Sequence, residues 1–198
     1  MAIFAGVELT NGGKILLAKA MTGKTLKFTK GCAGSGMLPD GQEISELTDL
    51  ITPRRKMDIV NMDITDGIGV AKISLVLSNK DLTEGFMLRE TGLFAEDPDT
   101  KEDILYCYCT AGTNGDPIPA QDSPSPVYYS FDIAVFIEQV KDIKAIFSEN
   151  PLHVTYIQLN QKLDDVYSYC RKHDNFLQEQ INTLSGLVMK NSIAHLKG

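Results

Sequence analysis

Apolar residues change their spacing along this chain, and each change predicts an element. Thr10-Asn11 stand ahead of Ile15, Leu16 and Ala18, a capping pair before an apolar face, so a short helix is expected that ends near Gly23. Leu26 and Phe28 then open a strand. Ile44, Leu47, Leu50 and Ile51 recur at helical spacing behind Asp40-Gly41, which predicts a second short helix closed off before Pro53. Further on the period falls to two. Ala71, Ile73, Leu75 and Leu77 alternate with Lys72, Ser74 and Ser78 as a half-buried strand, with Ile59, Met62 and Ile64 on its hairpin partner across Asp66-Gly67. Two more strands follow, Ile104 to Thr110 and Val127 to Ile137. In the second, Val127, Tyr129, Phe131, Ile133, Val135 and Ile137 share one face. Ile143 to Phe147 reads as a last strand, against its helix propensity.

Between the strands lies a different kind of segment. Ala111 to Pro126 holds four prolines and two glycines in 16 residues, a loop long enough to suggest a function of its own. Proline at 117, 119, 124 and 126 favours an extended arm able to lie across a neighbour. Asp116, Pro117, Ile118, Pro119, Pro124 and Pro126 are therefore the candidate partner-contact residues, an ordinary surface loop being the plainer alternative.

From about Thr155 the pattern changes again. Leu159, Leu163, Val166, Cys170, His173, Leu177, Gln180, Leu184 and Leu187 follow a 4-3 spacing, the mark of a coiled-coil seam. A helix of about 40 residues would run roughly 60 Å, too far to fold back on a small domain, so self-association is the expected way to cover the seam. Polar His173 and Gln180 on that seam would set register and oligomer state. Gly186 and the imperfect heptads leave open a single amphipathic helix packed on its own domain.

Composition narrows the classes. With 198 residues and 43% hydrophobic content the chain can bury a substantial core, as one domain of about 150 residues with a helical appendage over 151–198. No run reaches the roughly 20 apolar residues of a membrane span. The N-terminus lacks the basic region and apolar core of a signal peptide, which predicts synthesis in a cytosol without general secretory export. A net charge of -7 with no basic stripe disfavours nucleic acid as a partner. Cys32, Cys107, Cys109 and Cys170 are expected as buried, reduced thiols, because no further ligands stand at metal-site spacing.

Sequences that resemble reactive sites fail on inspection. Thr22-Gly23-Lys24-Thr25 ends like a phosphate-binding loop but lacks the preceding glycine, having Ala18 there, and follows a helix where a strand is required. The acidic run Glu96 to Asp103 lacks the central glycine and distant glutamate of a calcium loop and reads as a solvated hairpin turn. His153, His173 and His195 are 20 and 22 residues apart, wrong for a ligand pair on one helix face. His173 residues from several chains would meet at the axis of a coiled coil as a polar layer. No cofactor, metal site or catalytic set is predicted.

One segment is more specific. Gly85-Phe86-Met87-Leu88-Arg89-Glu90-Thr91-Gly92-Leu93-Phe94 places two charges inside an apolar, glycine-bracketed run. Buried charges persist only when paired and hydrogen-bonded, so Arg89 and Glu90 are expected as buried structural anchors. Neighbours in a strand point to opposite faces, so each is expected to tie down a different segment.

The same segment resembles the G-F-x-x-R-E-x-G-L-[FY] signature of the N-terminal domain of phage tail-collar fibre proteins. Around it, in the family's order, stand Leu9-Thr10-Asn11, Gly13-Lys14, Leu16 to Ala20, Leu26, Phe28 to Lys30, Gly34 and Gly36, then Leu105-Tyr106, Ile118-Pro119, Ser125-Pro126 and Phe131 to Ile133. The resemblance covers roughly residues 1–150. It implies an α+β attachment domain on a mainly antiparallel sheet that docks on the baseplate of a contractile phage tail or phage-tail-like bacteriocin. The C-terminal helical stalk would lead outward. It further implies a homotrimer, a baseplate wedge protein as the proximal partner, a distal fibre or receptor-binding protein, and no enzymatic activity. The chain would then be made in a bacterial cytoplasm and reside in the particle. Rival readings are a receptor-binding fibre protein that contacts the host surface through the Pro-rich loop, and a depolymerase fragment, for which no carboxylate pair at an interpretable spacing is evident.

Overall fold

In the computed structural model of this chain, which describes residues 4, 6–65, 69–122, 126–137, 140, 142–147, 166–180 and 182–184, helix α1 spans Asn11–Met21. It starts at the cap that the sequence predicts. The Thr10 hydroxyl oxygen accepts from the Gly13 amide at 2.9 Å and donates to the Leu105 carbonyl, so one fully buried side chain caps the helix and ties it to a strand 95 residues away. Gly13 is required there, because a Cβ would lie 1.9 Å from the Tyr106 carbonyl oxygen.

Two units divide the chain, Met1–His153 and Val154–Gly198. Among its described residues the first is built on ten strands: β1 (Glu8–Leu9), β2 (Leu26–Gly34), β3 (Pro53–Thr65), β4 (Val70–Ser78), β5 (Phe86–Leu88), β6 (Glu90–Glu96), β7 (Asp103–Thr110), β8 (Asp116–Ile118), β9 (Tyr128–Phe136) and β10 (Ile143–Ala145). Eight of them form one sheet in the order β1-β7-β6-β2-β3-β4-β9, with β10 against β2; β5 and β8 pair separately. All pairs are antiparallel except β10 with β2. This is the α+β, mainly antiparallel architecture expected.

Strand β3 explains how one sheet encloses a core. Its first residues, Pro53 to Met57, pair with the end of β2, and its second half leaves to pair with β4. Strand β10 fills the space that this departure opens beside Leu26 to Phe28. The two halves of the sheet then face one buried cluster, which holds Leu26, Phe28 and Tyr106 from one half and Ile73, Leu75, Ile133 and Val135 from the other, with Leu16 and Ala20 of α1. Alternation in β4 and β9 follows the expected faces over most of their length: Ile73, Leu75, Ile133 and Val135 are buried while Ser130, Asp132 and Ala134 are exposed, but Val127, expected on the buried face, precedes β9 and is 45% exposed. The turn at Asp66-Gly67 lies outside the described residues, and β3 and β4 close on it through the Thr65–Val70 pair.

Three expectations need correction. The helix predicted over Ile44 to Ile51 is a single 3-10 turn, Ile44–Glu46, after which Leu47 is extended. Its remaining amides are captured elsewhere: Leu50 N–H donates to Asp49, and Ile51 and Thr52 N–H donate to Glu90. The Pro-rich segment is not structureless, since Asp116–Ile118 forms β8 against β5. Of the cysteines, Cys107 and Cys109 are buried as expected, but Cys32 is half-buried and Cys170 is exposed on a helix.

Strand β7 is buried on both sides and breaks strict alternation. Leu93 faces Cys107 and Phe94 faces Leu105, so Tyr106 is an extra residue. In consequence Tyr106 and Cys107 both enter the main core, whereas Leu105 and Tyr108 join Leu50 and Phe94 in a second cluster. The bulged Tyr106 carbonyl accepts the Thr10 amide at 3.1 Å, where α1 lands.

In the second unit, residues 166–180 and 182–184 are helical and every described residue with an assigned exposure is open to solvent. Val166, Leu177 and Leu184 of the predicted seam are 58%, 48% and 60% exposed. Leu159, Leu163 and Leu187 lie outside the described residues. No described helix is long and apolar enough to cross a membrane.

Candidate functional site: the Glu90 latch and its surroundings

Glu90 is the first residue of β6 and has no exposed surface. Its carboxylate collects four donors. Oε1 accepts from the Gly36 and Thr52 amides, both at 2.7 Å; Oε2 accepts from the Ile51 amide and the Tyr108 hydroxyl, both at 2.8 Å. A carboxylate offers about four lone-pair sites and no proton, so the donor set and the acceptor match. Gly34 gives the group its room, since a Cβ there would lie 2.4 Å from Oε1 and 2.6 Å from the Thr52 carbonyl oxygen. The Tyr108 hydroxyl is pushed above its ordinary pKa, first by burial and then by this hydrogen bond, so it stays a donor. One side chain thus joins the end of β2, the 49–52 segment, β6 and β7.

Arg89 differs from the sequence expectation in its burial, while its separation from Glu90 is the expected one. It is half-buried, and its side chain forms no ion pair with Glu90. Its backbone does the tying: the amide donates to the Gly34 carbonyl at 3.0 Å and the carbonyl accepts the Ala111 amide at 2.7 Å. The side-chain stem lies against Gly115, and Nε is buried without a hydrogen-bond partner. The negative charge of Glu90 is therefore matched by peptide dipoles and a phenol.

The β5–β8 flap sits beside Arg89. Of the candidate contact residues, Ile118 is buried, Asp116 and Pro126 are half-buried, Pro117 and Pro119 are exposed, and Pro124 lies outside the described residues. Asn79, which the sequence did not single out, holds the flap closed. Its Nδ2 donates to the Pro119 and Ala120 carbonyls at 3.3 and 3.4 Å, its Oδ1 accepts the Val127 amide at 2.7 Å, and its own amide donates to the Val127 carbonyl. The only sequence signal for this role is the turn composition of Asn79-Lys80-Asp81, common to many surface turns.

At the far end of β6, charges are arranged in another way. Glu96 bonds Lys27 at 2.7 Å and Lys101 at 3.4 Å, and Lys19 bridges Asp97 at 2.7 Å and Asp99 at 2.9 Å. The acidic hairpin is thus a set of lysine-paired carboxylates. Their pKa values are lowered, chiefly by the hydrogen bonds from Lys27 to Glu96 and from Lys19 to Asp97 and Asp99. Among the described residues no group of three or more histidines, cysteines or acids is placed to hold a metal ion. His153 and His195 lie outside the described residues; His173 is exposed on its helix, its ring 6.2 Å from that of Tyr169. Thr22-Gly23-Lys24 form the C-terminal cap of α1, with their amides bonded to the carbonyls of Ala18, Lys19 and Ala20. That arrangement leaves no amide nest for a nucleotide phosphate.

The thiols differ by location. Burial pushes Cys32 up to about 11, with Asp49 and Glu90 adding to the shift, and burial raises Cys107 and Cys109 as well. None of these three is a ready nucleophile. Comparison of the chain with protein-family models, curated proteins and solved structures returned no match.

Proposed function

We propose that this chain is an attachment module of a contractile phage tail or phage-tail-like particle, in which residues 1–150 dock on a baseplate wedge protein. Residues 151–198 form a coiled-coil stalk that joins three copies and leads to a distal fibre or receptor-binding protein. No reaction is assigned to it. The observation that carries this reading is how the residues of the tail-collar resemblance meet in space. Glu90 bonds the Gly36 amide and packs on Gly34. Thr10 and Gly13 sit on the carbonyls of Leu105 and Tyr106. Phe86 pairs with Ile118. Pieces quoted separately along the sequence are thus contact partners, as they would be if the resemblance reflected one fold-defining set and not scattered coincidences.

The stalk reading rests on the exposed seam. Val166, Cys170, His173, Leu177 and Leu184 lie on helix that is open to solvent, and apolar residues at 4-3 spacing are best covered by a second copy of the same pitch. The baseplate-facing surface in this reading is the β5–β8 flap, with Pro117 and Pro119 exposed on it and the Arg89 stem beneath. The test has two arms. Sedimentation of the full chain is expected to give a trimer that Leu177→Asp/Leu184→Asp turns into a folded monomer. A photo-crosslinker at Pro117 or Pro119 is expected to capture a baseplate protein in particles purified from the producing cell. A chain absent from such particles, or crosslinked there only to the host envelope, overturns the reading; the second result favours the receptor-binding alternative.

A further inference from the structure

Beyond the attachment role, the lysine-walled cleft at the far end of β6 carries an inference of its own. The cleft holds about 480 Å³ and is lined by Lys24, Lys27, Lys101 and Lys144, with Glu96 as its one acidic wall residue. With Asp99 and Asp142, which pair Lys24 and Lys144 from outside the lining, the four ammonium groups meet three carboxylates, so the cleft keeps a small local excess of positive charge in a chain of net charge -7. The volume lies within the range of ordinary small-ligand sites, roughly 300–1,000 Å³. The lysines come from separate parts of the fold: the turn after α1, β2, the β6–β7 hairpin and β10.

Their pairing divides them. Lys27 is held to Glu96 at 2.7 Å with its side chain 35% exposed. Among the described residues, Lys24, Lys101 and Lys144 make only long ion pairs, 3.3 Å to Asp99, 3.4 Å to Glu96 and 3.4 Å to Asp142, and are 57%, 69% and 62% exposed. Exposed pairs of that kind contribute little, so these three ammonium groups can leave their carboxylates for a better anion at small cost. Charge selects the anion. An arginine fork matches carboxylate and phosphate geometry alike, whereas lysine is a point charge that responds to how much charge an anion carries, and no arginine lines this cleft. A phosphate monoester carries about 1.5 to 2 negative charges near pH 7, more than any single carboxylate that it would displace.

We propose that this cleft binds a phosphate monoester, held by Lys24, Lys101 and Lys144, with the rest of a small phosphorylated molecule such as a sugar phosphate lying in the remaining volume. The helix-cap amides are all used by helix carbonyls, so the ligand is held by side chains alone and binding is salt-sensitive. This is a different arrangement from the phosphate-loop pattern that Thr22 to Thr25 resembles, although Gly23, Lys24 and Thr25 line the cleft.

The experiment is calorimetric titration of the full-length chain with glucose 6-phosphate, inorganic phosphate and glucose at low salt. It compares wild type with Lys101→Glu/Lys144→Glu and with a control of equal charge change on exposed lysines outside the cleft, Lys14→Glu/Lys80→Glu. The expected result is saturable binding of glucose 6-phosphate, none of glucose, and a loss of affinity of at least about tenfold, or 1.4 kcal/mol, in the cleft variant alone. All four lysines are exposed, and thermal melts of both variants check that they fold. Inorganic phosphate bound as tightly as the sugar phosphate supports the anion site and identifies phosphate itself as sufficient. The proposal is overturned by no saturable binding in the millimolar range, by equal loss in both double variants, or by glucose binding that ignores the charge reversal.

Discussion

Strand β6 begins and ends with a glutamate, and the two are held in opposite ways. Glu90 is sealed from solvent and bonded by three backbone amides and one tyrosine. Glu96 is partly exposed and bonded by two lysines. Backbone amides cannot leave without moving the chain, so Glu90 fixes the positions of three segments relative to one another. Lysine side chains can swing away, so Glu96 belongs to a surface whose charges can be re-paired. The same residue type thus serves as a fold determinant at one end of a strand and as part of an exchangeable charge cluster at the other, and the difference lies in what donates to it.

Substitutions at the two ends should separate sharply. Glu90→Ala leaves four donors without their acceptor, two of them in buried bonds and two in part-buried ones, and the expected loss of stability in urea unfolding is about 3–5 kcal/mol, comparable with breaking one side of a buried pair. A loss under about 1 kcal/mol would make the latch incidental. Gly34→Ala attacks the same corner through space and is expected to cost about 2–4 kcal/mol, because the new methyl meets Glu90 Oε1 and the rigid Thr52 carbonyl at 2.4 and 2.6 Å. Arg89→Ala should cost only about 1 kcal/mol, from lost stem packing, since no side-chain ion pair among the described residues is removed. That ordering, Glu90 well above Arg89, reverses the symmetry that the adjacent charges suggest.

At the other end the effect is smallest and depends on pH. The Glu96 pKa is lowered from its usual 4.5, first by the Lys27 hydrogen bond. A lowered folded-state pKa contributes stability that is present above the ordinary value and is lost as pH falls through the lowered one. Thermal midpoints of wild type and Glu96→Gln should therefore differ slightly at neutral pH and converge at acid pH. A gap that widens on acidification would mean that the Lys27 pairing is not the cause. Thiol labelling sharpens the contrast between exposed and sealed regions. Cys32, raised to about 11, and buried Cys107 and Cys109 should resist alkylation in the native protein near pH 8 and react only at higher pH or on unfolding.

How much of this was readable in the sequence depended on whether a residue's partner was local. The Thr10 cap and the faces of β4 and β9 follow from neighbours three or two residues away, and the sequence shows them. The helix expected over Ile44 to Ile51 has the right spacing, but two of the amides at its end are bonded by a carboxylate some 39 residues further on. Tyr106 and Cys107 share a core because of a bulge, which no period-two reading reveals. Strand β8 was hidden by its prolines, although Pro117 needs no amide on an edge. Glu90 was marked by its apolar setting, but its partners were not, because peptide amides leave no trace in residue type. The lysine cleft was invisible for a similar reason: Lys24 and Lys144 stand 120 residues apart.

Amide hydrogen exchange tests the latch most directly. Gly36, Ile51 and Thr52 have no common strand or helix, and what they share is the Glu90 carboxylate. In wild type their amides should be protected to a similar degree, and in Glu90→Ala all three should lose protection together while amides of β4 and β9 keep theirs relative to the global limit. Three amides that exchange at unrelated rates in wild type, or that stay protected without the carboxylate, would contradict the claim that one buried glutamate holds this corner of the fold.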